Sequence, residues 1–93
     1  MIPFFQQKVT DEMKDAVNAV LENEKFILGE SVFKFEEEFA RYIGTKYAVA
    51  VNSGNSALQL SLIALGLEKN SKIITSTNSF IASANCILMV GGI

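Results

Sequence analysis

The sequence predicts an α/β chain in which helices pack on a partial parallel or mixed sheet. Three observations carry that prediction. β-prone runs at residues 46–51 and 71–75 alternate with stretches of helical periodicity. The run Val49-Ala50-Val51-Asn52-Ser53-Gly54-Asn55-Ser56-Ala57-Leu58 passes from an apolar strand through a small-residue turn into a helix. The two β-prone runs are separated by a helical crossover, which rules out a hairpin and calls for parallel pairing with right-handed connections.

Each element follows from local chemistry. Thr10 suits an N-cap, Asp11 and Glu12 suit a first turn, and Met13, Val17 and Val20 share one face of a helix ending near Asn23. Residues 26–30 read as a connector. Ser31 is expected to open a second amphipathic helix with Val32, Phe35, Phe39 and Tyr42 as its apolar stripe. Lys34, Glu37, Glu38 and Arg41 face solvent in that reading, and Gly44 stops the helix. Residues 46–51 form the first strand, 55–67 a helix, 71–75 the second strand, and 79–89 a further helix. Met89-Val90-Gly91-Gly92-Ile93 reads as the approach to another buried strand, an unnatural place for a domain to end.

Composition narrows the function classes. A chain of 93 residues buries only about 60–65% of the surface its unfolded form exposes, so its core is thin. The hydrophobic fraction of 49% and mean hydropathy of +0.29 are high for that length, which fits a segment covered by further structure. A net charge of −2 gives no electrostatic case for nucleic acid or an anionic membrane. The lone cysteine, Cys86, excludes an intramolecular disulfide and reads as a buried structural thiol in an apolar helix. With no histidine, Ser/His and Cys/His catalysis and the usual zinc ligands are excluded, and no metal site is expected. Met1-Ile2-Pro3-Phe4-Phe5 has neither the basic region nor the long apolar core of a signal peptide, so the cytoplasm is the expected location.

The turn at Ser53-Gly54-Asn55-Ser56 is the principal site candidate. Helix-initial amides have no intrahelical acceptor, and the dipole favours an anion there by about 0.3–1 kcal/mol. A phosphate satisfies both. Ser, Asn and Gly are also ordinary capping residues, so local chemistry alone leaves capping and phosphate binding open. Phe80 follows the loop leaving the second strand, which would bring its ring to the same sheet edge as the turn. Packing under the helix is the other reading of that ring.

Four blocks in order carry a resemblance. They are Phe26-Ile27-Leu28-Gly29 with Phe35-Glu36-Glu37-Glu38-Phe39-Ala40; Gly44-Thr45-Lys46-Tyr47-Ala48-Val49-Ala50-Val51; Asn52-Ser53-Gly54-Asn55-Ser56-Ala57-Leu58 leading to Ala64-Leu65-Gly66; and Ile73-Ile74-Thr75 with Ser79-Phe80-Ile81-Ala82-Ser83-Ala84-Asn85. Together they resemble the N-terminal portion of the DegT/DnrJ/EryC1/StrS family, pyridoxal-phosphate-dependent aminotransferases acting on nucleotide-linked keto-sugars. The resemblance implies the start of the large domain of a fold-type I transferase, like that of aspartate aminotransferase. Residues 1–30 would be an N-terminal arm and helix, and residues 31–93 the start of the cofactor-binding α/β unit. It implies that Gly54, Asn55 and Ser56 hold the phosphate of pyridoxal 5′-phosphate and that Phe80 stacks on its ring. Many relatives carry threonine at the Asn55 position, so a carboxamide donor replaces a hydroxyl. Relatives also carry a Pro-Gly-Asp turn where this chain has Glu68-Lys69-Asn70-Ser71-Lys72.

The family's Schiff-base lysine, and the carboxylate that faces the pyridine nitrogen, are expected downstream of Ile93. Lys46 and Lys72 begin their strands at the opposite sheet edge, and Lys8, Lys14, Lys25, Lys34 and Lys69 fall on outer faces or connectors. No catalytic residue is therefore expected in this chain, which alone should be inactive. The full-length protein would take a nucleotide-linked keto-sugar and an amino-acid donor such as glutamate, and would form a homodimer. Three alternatives stay open: a sugar dehydratase of the same family, a non-catalytic remnant or interaction module, and a Rossmann-like nucleotide binder. Against the last, the turn offers no G-x-G-x-x-G.

Overall fold

The computed structural model describes residues 2–93. It contains α1 (Asp11–Asn23), α2 (Glu30–Ile43), α3 (Gly54–Ala64) and α4 (Ala82–Met89). Two compact units divide the chain, Met1–Ala50 and Val51–Ile93.

In the first unit, α1 starts as its sequence dictates. Thr10 Oγ1 accepts from the Met13 N–H at 3.3 Å, and Asp11 and Glu12 occupy the first turn beside the positive end of the dipole. The start of α2 is built differently. Gly29, and not a Ser side chain, is its N-cap residue. The capping acceptor comes from the end of the preceding helix: Glu24 Oε2 accepts from the Ser31 N–H at 2.9 Å and Glu24 Oε1 from the Ser31 hydroxyl at 2.5 Å. The connector folds tightly enough that a Cβ on Gly29 would lie 2.6 Å from Glu24 Oε2 and 2.7 Å from the Lys25 carbonyl. Gly44 closes α2 at φ 82°, with the Gly44 and Thr45 N–H groups both donating to Ala40 O at 2.9 and 3.0 Å.

The covered face of α2 differs from the predicted stripe. Val32, Glu36 and Ala40, spaced four apart, are the inward positions, with Ala40 buried. Phe35, Phe39 and Tyr42 instead lie along an exposed flank, with Phe35 stacked on Phe39 at a centroid separation of 5.5 Å and Tyr42 tilted against Phe39 at 6.5 Å. The outward charges behave as expected, pairing Arg41 with Glu37 at 2.9 Å and Lys34 with Glu38 at 3.9 Å.

In the second unit, α3 and α4 pack on each other, and Cys86 and Ile87 of α4 are its buried apolar residues. The expected burial of the Cys86 thiol is therefore met. α3 ends at Ala64, three residues before the expected limit, because Leu65 leads into Gly66 at φ 68°. α4 starts at Ala82 instead of Ser79, preceded by a tight turn in which Ser83 N–H donates to Phe80 O and Ala84 N–H to Ile81 O, both at 3.0 Å. Its other end is a Schellman closure. Gly91, at φ 78°, donates to Leu88 O at 3.0 Å, and Gly92 donates to Ile87 O at 2.9 Å.

The sheet expected from sequence is not formed: among the described residues no β-strand is present. A strand, unlike a helix, cannot satisfy its own backbone and requires a neighbour. Residues 45–51 are without helix or strand, and the Ala50 N–H donates to the Glu36 carboxylate at 2.7 Å in place of a strand. Residues 71–73 do find a short partner. Ile93 N–H donates to Ser71 O at 2.8 Å and Ile73 N–H donates to Ile93 O at 2.9 Å, the two slanted bonds of a parallel pair on either side of Lys72.

The cap on α2 is pH-dependent. Its hydrogen bonds from the Ser31 hydroxyl and amide hold the Glu24 carboxyl below the ordinary glutamate pKa of 4.5. A group depressed on folding contributes stability that is present above its unfolded pKa and disappears as pH falls through the folded value. Acidification below pH 4.5 should therefore release the first turn of α2. The protection of the Ser31 amide, relative to its intrinsic exchange rate at each pH, should fall in that range while that of amides in the middle of α3 does not follow it, and Glu24→Gln should remove the pH dependence.

Candidate functional site

The turn before α3 is positioned by its own cap. Ser53 is extended at φ −161° and ψ 157°, and its Oγ accepts from the Ser56 N–H at 3.1 Å. The Ala57 N–H then begins the helical ladder on Ser53 O at 3.0 Å. Capping, one of the two roles that local chemistry leaves open for this turn, is thus taken by Ser53, and the Ser-x-x-Ser spacing is its sequence signal.

That cap decides which donors remain. The Ser56 amide is engaged, whereas the Gly54 and Asn55 amides have no intrachain acceptor among the described residues. Ser53 Oγ also donates to Ser56 Oγ at 3.0 Å, so the Ser56 hydroxyl proton is free for another acceptor. A Cβ on Gly54 would meet nothing within 4 Å, and its φ is not positive. Glycine here is thus required neither by the turn nor by the atoms present, and the space beside its Cα is open. Asn55 and Ser56 are half-buried. Asn55 Nδ2 donates to Met89 Sδ at 3.7 Å, so the start of α3 meets the end of α4.

Gly54, Asn55 and Ser56 are therefore together on one helix turn. Phe80 lies two residues before the start of α4, and Asn55 touches Met89 at the end of that helix. The Phe80 side chain is 80% exposed, so it is not a core residue of this unit. Beside it the Ser79 and Ser83 hydroxyls pair at 2.7 Å, which satisfies Ser83 locally. In the first unit, a groove between α2 and residues 45–48 is lined by Phe33, Glu36, Ala40 and Tyr47, with the Lys46 ammonium 5.1 Å above the Tyr47 ring. Among the described residues, no helix is long and apolar enough to cross a membrane.

A turn opening a helix with unpaired helix-initial amides is common to many phosphate binders, and comparison with known proteins decides among them. Residues 7–93 match the model of the DegT/DnrJ/EryC1/StrS aminotransferase family. The chain belongs to that family. It is 34% identical to the 3-oxo-glucose-6-phosphate:glutamate aminotransferase of Bacillus subtilis, over 99% of this chain and 22% of the relative. It is 37% identical to the UDP-4-amino-4,6-dideoxy-N-acetyl-beta-L-altrosamine transaminase of Campylobacter jejuni, over 98% of this chain and 24% of the relative. Among solved structures, it superposes on an aminotransferase from Psychrobacter cryohalolentis with a TM-score of 0.84 and 32% identity, over 97% of this chain and 24% of that one. The S. venezuelae DesV structure in complex with a ketimine intermediate gives a TM-score of 0.79 and 38% identity, over 87% of this chain and 22% of that one. The chain thus spans between a fifth and a quarter of the length of the family members it matches.

The Ser53 cap can be separated from the donors it leaves free. Ser53→Ala should destabilise the start of α3 by about 1 kcal/mol, within the usual 0.5–2 kcal/mol for a lost serine cap. Thermal melts together with amide exchange at Ser56 would read this, and an unchanged melt with a protected Ser56 amide would contradict the capping geometry.

Proposed function

We propose that this chain supplies the phosphate-binding part of a pyridoxal-phosphate-dependent aminotransferase that acts on nucleotide-linked keto-sugars. The observation that carries the proposal is the pair of unpaired amides at Gly54 and Asn55, beside the free hydroxyl proton of Ser56. That donor set suits a phosphate dianion, with the α3 dipole adding to the attraction. Family membership and relatives named as transaminases of nucleotide-linked sugars support the cofactor and the substrate class.

In this reading the Gly54 and Asn55 N–H groups and the Ser56 hydroxyl hold the phosphate, while the Ser53 cap keeps the turn in shape. The Phe80 ring covers one face of the pyridine ring and keeps water from it. When bound, pyridoxal 5′-phosphate supplies the electron sink that transamination requires. The lysine and carboxylate that act on the cofactor lie beyond Ile93 in the longer protein. There, residues 1–30 form an arm and helix, residues 31–93 begin the cofactor-binding unit, and the segments at 46–51 and 71–75 join a parallel or mixed sheet. The whole enzyme works in the cytoplasm as a homodimer, with glutamate as amino donor.

Incubated with pyridoxal phosphate, glutamate and nucleotide keto-sugars, the 93-residue chain should give no turnover above that of free cofactor. Turnover accompanied by a borohydride-trapped adduct at one lysine would overturn that expectation.

In the whole enzyme, Ser56→Ala should weaken cofactor affinity by about 1.5–3 kcal/mol, on the order of tenfold to a hundredfold, with little change in melting. Phe80→Leu keeps most of the apolar volume and loses the flat face. It should shift the bound cofactor's absorbance and cost affinity by about 0.5–1.5 kcal/mol. Unchanged affinity in both variants would reject these assignments.

A further inference from the structure

We infer that Met89 is a positioning residue for Asn55, fixing the carboxamide that would meet the cofactor's phosphate; the inference rests on the phosphate reading above. The contact is the 3.7 Å hydrogen bond from Asn55 Nδ2 to Met89 Sδ, made between residues 34 positions apart. Only the packing of α3 on α4 brings them together.

The need for such a contact follows from Asn55 itself. Asparagine near a helix start turns its side chain readily toward neighbouring backbone groups. Such a rotation would fill the space in front of the Gly54 and Asn55 amides. The thioether takes one of the two Nδ2 hydrogens and limits that rotation, leaving the second hydrogen available to an anion. A donor already held in one rotamer loses less entropy when a ligand arrives.

The anchor is rigid at its backbone. Met89 is the last residue of α4, and it follows the buried Cys86 and Ile87 by two or three positions. Beyond it, the Gly91 and Gly92 N–H groups close the helix on Leu88 O and Ile87 O. A Cβ on Gly92 would come within 2.9 Å of Ile73 Cδ1 and 3.0 Å of Ile87 Cγ2, so the closure admits little displacement. What varies is the thioether, whose unbranched side chain adapts to its partner.

The test compares Met89→Leu, Met89→Gln and Asn55→Ala, with the double variant Asn55→Ala/Met89→Leu, in the polypeptide as the gene encodes it. Pyridoxal 5′-phosphate titration gives affinity, and the Asn55 side-chain amide resonance of the cofactor-free protein reports the contact directly. Met89→Leu preserves volume but removes the acceptor. It should displace the Asn55 resonance and weaken affinity roughly fivefold. Met89→Gln returns an acceptor at similar reach and should restore most of the affinity, the reverse of what an apolar packing role predicts. In the Asn55→Ala background, Met89→Leu should have no further effect. Wild-type affinity in Met89→Leu, or an equal loss with and without Asn55, would overturn the inference while leaving the phosphate site standing. If Asn55→Ala and Ser56→Ala both bind cofactor as wild type does, the phosphate reading fails and Met89 loses its proposed role, even where its variants still displace the Asn55 resonance.

Discussion

The capping bond from the Ser56 N–H to Ser53 Oγ is the interaction on which the site depends. It consumes one of the helix-initial donors and sets the extended geometry of Ser53, so the two preceding amides stay unpaired. Helix-initial N–H groups are left over by every α-helix. What distinguishes α3 is that its cap comes from Ser53, which leaves the side chains of Asn55 and Ser56 free for other work. One turns toward Met89 and the other retains a hydroxyl proton.

A second constraint separates what forms here from what does not. Helices close their hydrogen bonds within themselves, so α1 to α4 are present with recognisable starts and stops. Strands must borrow partners. Where a partner is at hand, as between Ser71–Ile73 and Ile93, the bonds of a parallel pair appear. At Ala50 a glutamate side chain takes the amide instead. The same shortage shows in the side chains: Ala40, Cys86 and Ile87 are the buried hydrophobic residues, while Phe80, Tyr42 and Ile74 are 80–99% exposed. The chain spans under a quarter of the length of the solved aminotransferases it superposes on, and an apolar surface of this extent calls for cover.

Side-chain acceptors drawn from elsewhere in each unit recur in this molecule. Glu24 caps α2 from the end of α1, Glu36 holds Ala50, and Met89 holds Asn55. These contacts connect consecutive elements without needing a sheet.

The sequence by itself determined the four helices, some of their termini and the family. Thr10, Gly44 and the Ser53–Ser56 turn act through bonds to residues at most five positions away, which is why they were legible. The order and spacing of four short blocks carried the family, because each block is a local pattern. Tertiary structure alone decided which face of α2 is covered, since Phe35, Phe39 and Tyr42 are as apolar as any core stripe and only packing chooses Val32, Glu36 and Ala40. It also decided the Asn55–Met89 contact. That contact depends on how α3 and α4 lie against each other, and no local pattern encodes the direction in which two helices pack.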